Sequence, residues 1–264
     1  MLMTTMRFEQ DGAIGSVVLA NPPFNRIDSA FLINLREAVH RASESNIRVL
    51  VVRAEGPNFS FGSQVGEWLG KNLDWFRTFI AELNQSYRAI EALRVPTLAA
   101  VQGLAQGGGF ELALSCDLIV AAENAVFRNI EVTTAMLPIA GGLQRLADHM
   151  GRGRAARMAI FGDSIAAPDA YRLGFVSHLV AAKRLDQEVD ALARQMASGP
   201  TRAFAAMRAM LKAWSNGGVA AADAVMLDLT MDLFRTADST KGFAAAAKAI
   251  EENTEPATLT FEGR

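Results

Sequence analysis

Two glutamates and a run of glycines are the residues whose types and spacing could do chemistry in this chain. The run is Gly103-Leu104-Ala105-Gln106-Gly107-Gly108-Gly109-Phe110-Glu111, and Glu131 follows twenty residues after Glu111. Three consecutive glycines leave backbone N–H groups uncovered by side chains. The apolar residues after them, Phe110, Leu112, Ala113 and Leu114, read as the start of a buried helix. A bare helix N-terminus presents unpaired N–H donors and the positive end of the helix dipole to an anion. A carboxylate one turn into such a helix, with a second arriving from elsewhere, predicts a proton-transfer pair beside an oxyanion site. The plain alternative is that Glu111 is favoured there by the dipole alone, worth about 0.3–1 kcal/mol, and that Glu131 is a surface residue before a loop.

Other chemistries find little support. The glycine run has no Gly-Lys-Ser/Thr ending, so it is not a phosphate-binding P-loop, and Gly62-Ser63-Gln64 does not make a nucleophile elbow. One cysteine, Cys116, excludes an internal disulfide framework and a cysteine-clustered metal site; between Leu114 and Leu118 it reads as a buried structural thiol. His40, His149 and His178 show no metal-ligand spacing, so no metal is expected. A formal net charge of −2 gives no electrostatic reason to expect nucleic acid. The segment Met1 to Phe8 lacks the character of a signal peptide, and no apolar stretch has transmembrane length. A soluble, cytoplasmic protein without a membrane partner is the expectation.

The elements that must position these residues follow from pattern. With 264 residues, half of them apolar, a sizeable core is available. Met6 to Gln10 and Ile14 to Ala20 read as strands joined at Asp11-Gly12, a hairpin signal. Ser29 is expected to cap a helix with Phe31, Leu32, Leu35 and Val39 on one face. Val49 to Val52 suits a strand buried on both faces, as does Thr97 to Val101, with a helix over about 74–93 between them. A strand at Leu118 to Ala121 and a short extended piece at Ala125 to Arg128 follow the glycine loop. This alternation predicts a parallel sheet. Beyond Pro138 the pattern turns helical and alanine-rich through Ile250, interrupted by a strand-like stretch, Phe175 to Val180, and with Pro200 expected in a first helical turn. The organisation expected is an α/β core over 1–195 and a helical region over 196–264. The loops Glu55 to Gly66 and Gln102 to Gly109 leave strands at their carboxyl ends, where open parallel sheets bind ligands, and one N–H from each could converge on a single oxygen. Removing one such donor costs on the order of 3–4 kcal/mol of barrier.

Taken together, these motifs resemble the enoyl-CoA hydratase/isomerase (crotonase) superfamily over nearly the whole chain. The resemblance is carried by Asn21-Pro22-Pro23-Phe24-Asn25, by Phe59-Ser60-Phe61-Gly62-Ser63-Gln64, and by Gly107-Gly108-Gly109-Phe110-Glu111-Leu112-Ala113 with Cys116-Asp117. Glu131, Pro138 to Gly142, Gly162-Asp163 with Ala170 and Gly174, and Phe261-Glu262-Gly263-Arg264 extend it. It implies a crotonase-like (ClpP/crotonase) α/β fold of repeated ββα units with a helical C-terminal trimerisation region. It also implies a homotrimer or homohexamer acting on acyl-CoA, with coenzyme A part of the substrate and no separate cofactor.

Carried over by position, the resemblance makes the N–H groups of Ser63 and Gly108 the oxyanion donors. Glu111 would activate water, and Glu131 would exchange the proton at the α-carbon. Arg26, Phe61, Gly62, Gln64, Val65, Gly107 and Ile139 would line the substrate. Phe61 and Gln64 stand where the family usually has alanine and aspartate, and Ile139 stands where it has glycine. The expected reaction is hydration of a 2,3 double bond through an enolate. Double-bond isomerisation, thioester hydrolysis and a non-catalytic assembly role are the alternatives.

Overall fold

The computed structural model describes residues 5–263; Met1 to Thr4 of the N-terminal segment and the closing Arg264 lie outside the described residues. The chain opens with a hairpin, β1 (Met6–Asp11) and β2 (Ile14–Leu19), turned at Gly12 in the left-handed region. Helix α1 (Ser29–Glu44), strand β3 (Val49–Ala54), helix α2 (Leu73–Ala92) and strand β4 (Thr97–Val101) follow. Then come β5 (Leu104–Gln106), α3 (Gly108–Leu114), β6 (Leu118–Ala122) and β7 (Val126–Arg128). The rest runs α4 (Gly142–Met150), α5 (Arg152–Phe161), β8 (Ser164–Ala166), α6 (Ala167–Leu173), β9 (His178–Val180), α7 (Leu185–Ala197), α8 (Thr201–Phe234) and α9 (Ala237–Glu252).

The main sheet has the order β1-β2-β3-β4-β6-β9 and is parallel except for the opening hairpin. Its central strands are buried on both faces, as their unbroken apolar runs require. Leu50, Val52, Ala99, Val101, Ile119 and Ala121 face the large core that includes α1, α2 and α3. Val49, Val51, Leu98, Ala100, Val120 and Ala122 face the other way, against Leu185, Val189 and Ala193 of α7. Alternation with period two thus sorts one strand between two cores. Burying each such valine or leucine contributes about 1.5–3 kcal/mol.

Four local expectations are corrected. Asp28, not Ser29, caps α1: its carboxylate accepts from the Phe31 N–H at 2.7 Å, while the Ser29 hydroxyl donates to Glu67. An aspartate one residue earlier completes the capping geometry, which frees the serine for a longer-range partner. Leu104 to Gln106 is a strand rather than loop. With β7 and β8 it forms a second, three-stranded sheet in which β5 pairs parallel to β7 and β8 antiparallel. Such three-residue strands carry too little periodicity to be read from sequence, which is also why β8 was absent from the expected elements. Pro200 sits at the cap position, one residue before α8 begins, and the strand expected over 175–180 contracts to β9.

The long helix α8 breaks at Gly217 and Gly218, the latter at φ +69°, so its second half starts at Val219. Arg208 of α8 ties this region to the sheet, donating to the Asp117 carboxylate at 2.8 Å. Asp117 in turn accepts from the N–H and hydroxyl of Thr97 at the start of β4. Asp238 of α9 receives the N–H groups of Glu262 and Gly263, which pins the C-terminal tail. Among the described residues no helix is long and apolar enough to cross a membrane.

Candidate active site

The two loops expected to converge do so. The segment after β3 forms two short parallel bridges, Ile27 with Ser63 and Ser60 with Ala105. The turn over 106–108 lies against it through Gln106, whose N–H donates to the Ser60 carbonyl at 3.0 Å. Gly62, at φ +73°, is one of the points where the two backbones approach closely. A Cβ there would stand 2.7 Å from the Gln106 carbonyl oxygen and 3.3 Å from the Gly108 nitrogen. Only glycine accommodates both the dihedral angle and the contact.

The bridge uses the carbonyl of Gly62, which accepts from Ile27, and the N–H of Gln64, which donates to Ile27. Alternation along an extended chain therefore turns the Ser63 N–H to the opposite side. Gly108 opens α3, so its N–H has no helical acceptor. Its carbonyl is held by the buried hydroxyl of Tyr87, which donates at 2.8 Å. Ser63 and Gly108 are neighbours, since a Cβ on Gly108 would lie 3.7 Å from the Ser63 hydroxyl oxygen. Two backbone donors free of intramolecular partners among the described residues thus lie side by side at a helix start.

Glu111 is completely buried. Its Oε1 accepts two backbone hydrogen bonds, from the N–H of Ala140 and of Gly142, both at 2.8 Å. Its Oε2 is buried without a hydrogen-bond partner among the described residues. One oxygen is thus fixed and the other is left to serve a ligand. Burial pushes the carboxyl up to about 7; the Glu131 charge acts in the same direction, while the Gly142 and Ala140 N–H groups and Arg145 oppose it. Gly142 must be glycine, because a Cβ would come within 2.8 Å of Glu111 Cγ and 3.0 Å of Oε1.

Glu131 begins a short 3-10 turn over Glu131–Thr134 and lies beside the glycine loop, its Oε1 3.3 Å from where a Gly107 Cβ would be. It is raised above the ordinary carboxylate range, mainly by burial, against a weak bond from the Asn129 amide at 3.5 Å. The two carboxylates lie near the start of α3, close enough for the charge of Glu131 to raise the Glu111 carboxyl. Such a pair favours holding one proton between its members. The arrangement sets two carboxyl groups that can accept and give protons beside two donors for a developing negative charge.

The remaining predicted residues are placed unevenly. Phe61 packs edge-on against Phe24 with centroids 4.9 Å apart, and the Arg26 guanidinium lies 5.3 and 5.6 Å over the two rings. Arg26 makes no ion pair among the described residues, so its charge is held by aromatic faces beside the loop. Gly107 is in the site, donating its N–H to the Arg128 carbonyl. Gln64 and Val65 are exposed, and Gln64 serves the loop through its backbone. Ile139 packs partly into the large core, and its carbonyl accepts from the Asn84 amide at 2.6 Å.

Sequence reasoning missed the supporting ring of Asn84, Tyr87, Arg145 and the donor pair Ala140 and Gly142. Arg145 donates to the Ala140 carbonyl at 2.8 Å and pairs with Glu91 at 2.7 Å. Burial alone would raise the Glu91 carboxyl, but Arg145 and Lys212 outweigh it and hold it low. The Gly141-Gly142 pair before a helix was the one signal in the sequence that could have flagged this cradle.

Comparison with known proteins agrees with this geometry. A family model described as enoyl-CoA hydratase/isomerase matches residues 9–253. The 2,3-dehydroadipyl-CoA hydratase of Escherichia coli is 33% identical over 226 residues, covering 84% of this chain and 86% of that protein. The crotonyl-CoA hydratase of Syntrophomonas wolfei is 30% identical over 242 residues, covering 90% and 93%. The solved enoyl-CoA hydratase of Bacillus anthracis superposes with a TM-score of 0.88 at 25% identity, over 98% of this chain and all of that one.

Proposed function

Since the chain belongs to the enoyl-CoA hydratase/isomerase family, with a crotonase-type α/β fold, we propose that it adds water across the 2,3 double bond of an acyl-CoA thioester. The observation that carries this reading is the division of labour in the Glu111 carboxylate. Oε1 is fixed by two backbone donors and Oε2 is buried without a hydrogen-bond partner among the described residues.

In the proposed reaction the thioester oxygen takes the N–H groups of Ser63 and Gly108. Water bound at Glu111 Oε2 attacks C3 and gives its proton to that carboxylate. The electron pair of the double bond moves toward C2 and onto the thioester oxygen, where the two donors stabilise the enolate. Protonated Glu131 then delivers its proton to C2. One carboxylate gains a proton and the other loses one, so the charge of the pair is the same before and after. The raised proton affinities of both glutamates support this sharing. Coenzyme A enters as part of the substrate, and the Arg26–Phe24–Phe61 stack is a proposed contact for it.

The test is hydration of short and medium 2-enoyl-CoAs, followed as loss of the conjugated thioester absorbance. Absence of hydration at every chain length, from protein that binds CoA, would sink the reading. Conversion of 3-enoyl-CoA to 2-enoyl-CoA without hydration would instead favour isomerisation, which uses the same enolate. A homotrimeric or homohexameric assembly is part of the proposal. It is supported by the exposed side chains of Met207, Leu211 and Trp214, four and three residues apart on one face of α8. A sedimentation mass of one chain would refute it.

A further inference from the structure

The side of α2 turned toward the glutamates carries Asn84, Tyr87 and Glu91, three and four residues apart and so on one face of the helix. Tyr87 holds the Gly108 carbonyl, and Glu91 holds Arg145. Asn84 has no part in the reaction proposed above, yet both hydrogens of its amide are engaged. One goes back a turn to the Ile80 carbonyl at 2.9 Å, and the other crosses to the Ile139 carbonyl at 2.6 Å.

We infer that Asn84 is a positioning residue for Glu111, acting through the peptide between Ile139 and Ala140. That peptide has Asn84 on its oxygen and Glu111 Oε1 on its N–H, the latter at 2.8 Å. Because the peptide is planar, holding the oxygen sets the direction of the N–H. Serial hydrogen bonds through one peptide also polarise each other.

The second donor peptide, between Gly141 and Gly142, is held differently. Its carbonyl accepts from the Arg145 backbone N–H at 3.3 Å, a bond that belongs to the opening turn of α4. The Ile139 carbonyl lies before that helix and has no acceptor role in it. Asn84 supplies the restraint that α4 does not extend to this peptide. Without it the Ala140 N–H is free to rotate away, and Glu111 Oε1 keeps one donor of two.

The groups facing Glu111 are Glu131, Tyr87 and Arg145, and all three remain when Asn84 is changed. The kinetic part of the inference rests on the hydration reading; the titration part does not. In Asn84→Ala and in Asn84→Leu, which keeps the approximate volume, removes the donor and adds no charge, the Glu111 carboxyl is titrated by difference infrared spectroscopy against the corresponding Glu111→Gln background. Its midpoint is expected to rise by about half to one pH unit in both variants. With 2-enoyl-CoA, kcat is expected to fall on the order of tenfold or more with KM within about twofold, and the acid limb of kcat to move up with the midpoint. An unmoved Glu111 midpoint in the folded variants overturns the inference, whatever the activity.

The wild-type protein supplies a measurement independent of the variants' folding. In protein labelled with nitrogen-15 at asparagine and alanine, the Asn84 side-chain amide and the Ala140 N–H are expected to shift with one common midpoint as Glu111 titrates. An Asn84 signal indifferent to that titration also overturns it. If the enzyme hydrates nothing, the two titrations still decide the role of Asn84.

Discussion

Replacing Glu111 by glutamine is expected to stabilise the protein at alkaline pH while removing its activity. In the folded protein Glu111 keeps its proton up to about pH 7, against an ordinary value of 4.5 for the unfolded chain. Between those values the folded state binds more protons, so stability falls as pH rises through that window. The displacement from 4.5 to about 7, at about 1.4 kcal/mol per tenfold change in proton affinity, amounts to about 3 kcal/mol lost by pH 8. Glutamine cannot ionise, and its oxygen still accepts from Ala140 and Gly142. The assay is denaturant unfolding of both proteins at pH 5 and pH 8, at one protein concentration because any assembly adds its own term. The stability difference, variant minus wild type, is expected to grow by about 2–3 kcal/mol toward pH 8, with kcat for hydration lower by about a hundredfold to ten-thousandfold. Parallel stability profiles would refute the claim that burial of an ionisable Glu111 opposes folding. Undiminished hydration would refute its role as base.

Three further substitutions probe the same frame. Gly142→Ala places a methyl group 2.8 Å from Glu111 Cγ; it should cost about 1–3 kcal/mol in denaturant unfolding and lower kcat more than it raises KM. Gly62→Ala meets the Gln106 carbonyl and the Gly108 nitrogen. It should separate the two donor loops and lower kcat/KM by on the order of a hundredfold, measured on 2-enoyl-CoA. Tyr87→Phe leaves the Gly108 carbonyl without its side-chain donor; thermal unfolding should show a loss of about 1–2 kcal/mol, with kcat reduced.

Legibility in the sequence followed the length of the signal. Val49 to Val52 and Leu98 to Val101 are uninterrupted apolar runs, and both lie in strands buried on two faces, the one polar residue at the edge, Thr97, being satisfied by Asp117. The Gly107 to Glu111 motif placed a glutamate in the first turn of a buried helix, where the structure has it. The three-stranded sheet was not legible: each strand is three residues long, and its pairing joins segments from distant parts of the chain. The cradle around Glu111 was not legible either. Its donors are main-chain N–H groups, which every residue but proline carries, and its braces Asn84 and Tyr87 look like ordinary helix residues until α2 is packed.

Ile139 shows how the structure relocates a question that sequence raises. A branched side chain in place of glycine reads as an obstacle beside the carboxylates. In the folded chain its side chain packs partly into the large core, while its carbonyl is held by Asn84. The N–H that follows it, of Ala140, is one of the two donors to Glu111. What this position contributes to the cradle is therefore a peptide plane, and a peptide plane survives exchange of the side chain. Substituting Ile139 by alanine would leave both of those bonds available, whereas substituting Asn84 removes one of them. If the cradle governs Glu111, the position that matters most near residue 139 is reached from α2, fifty-five residues away in sequence.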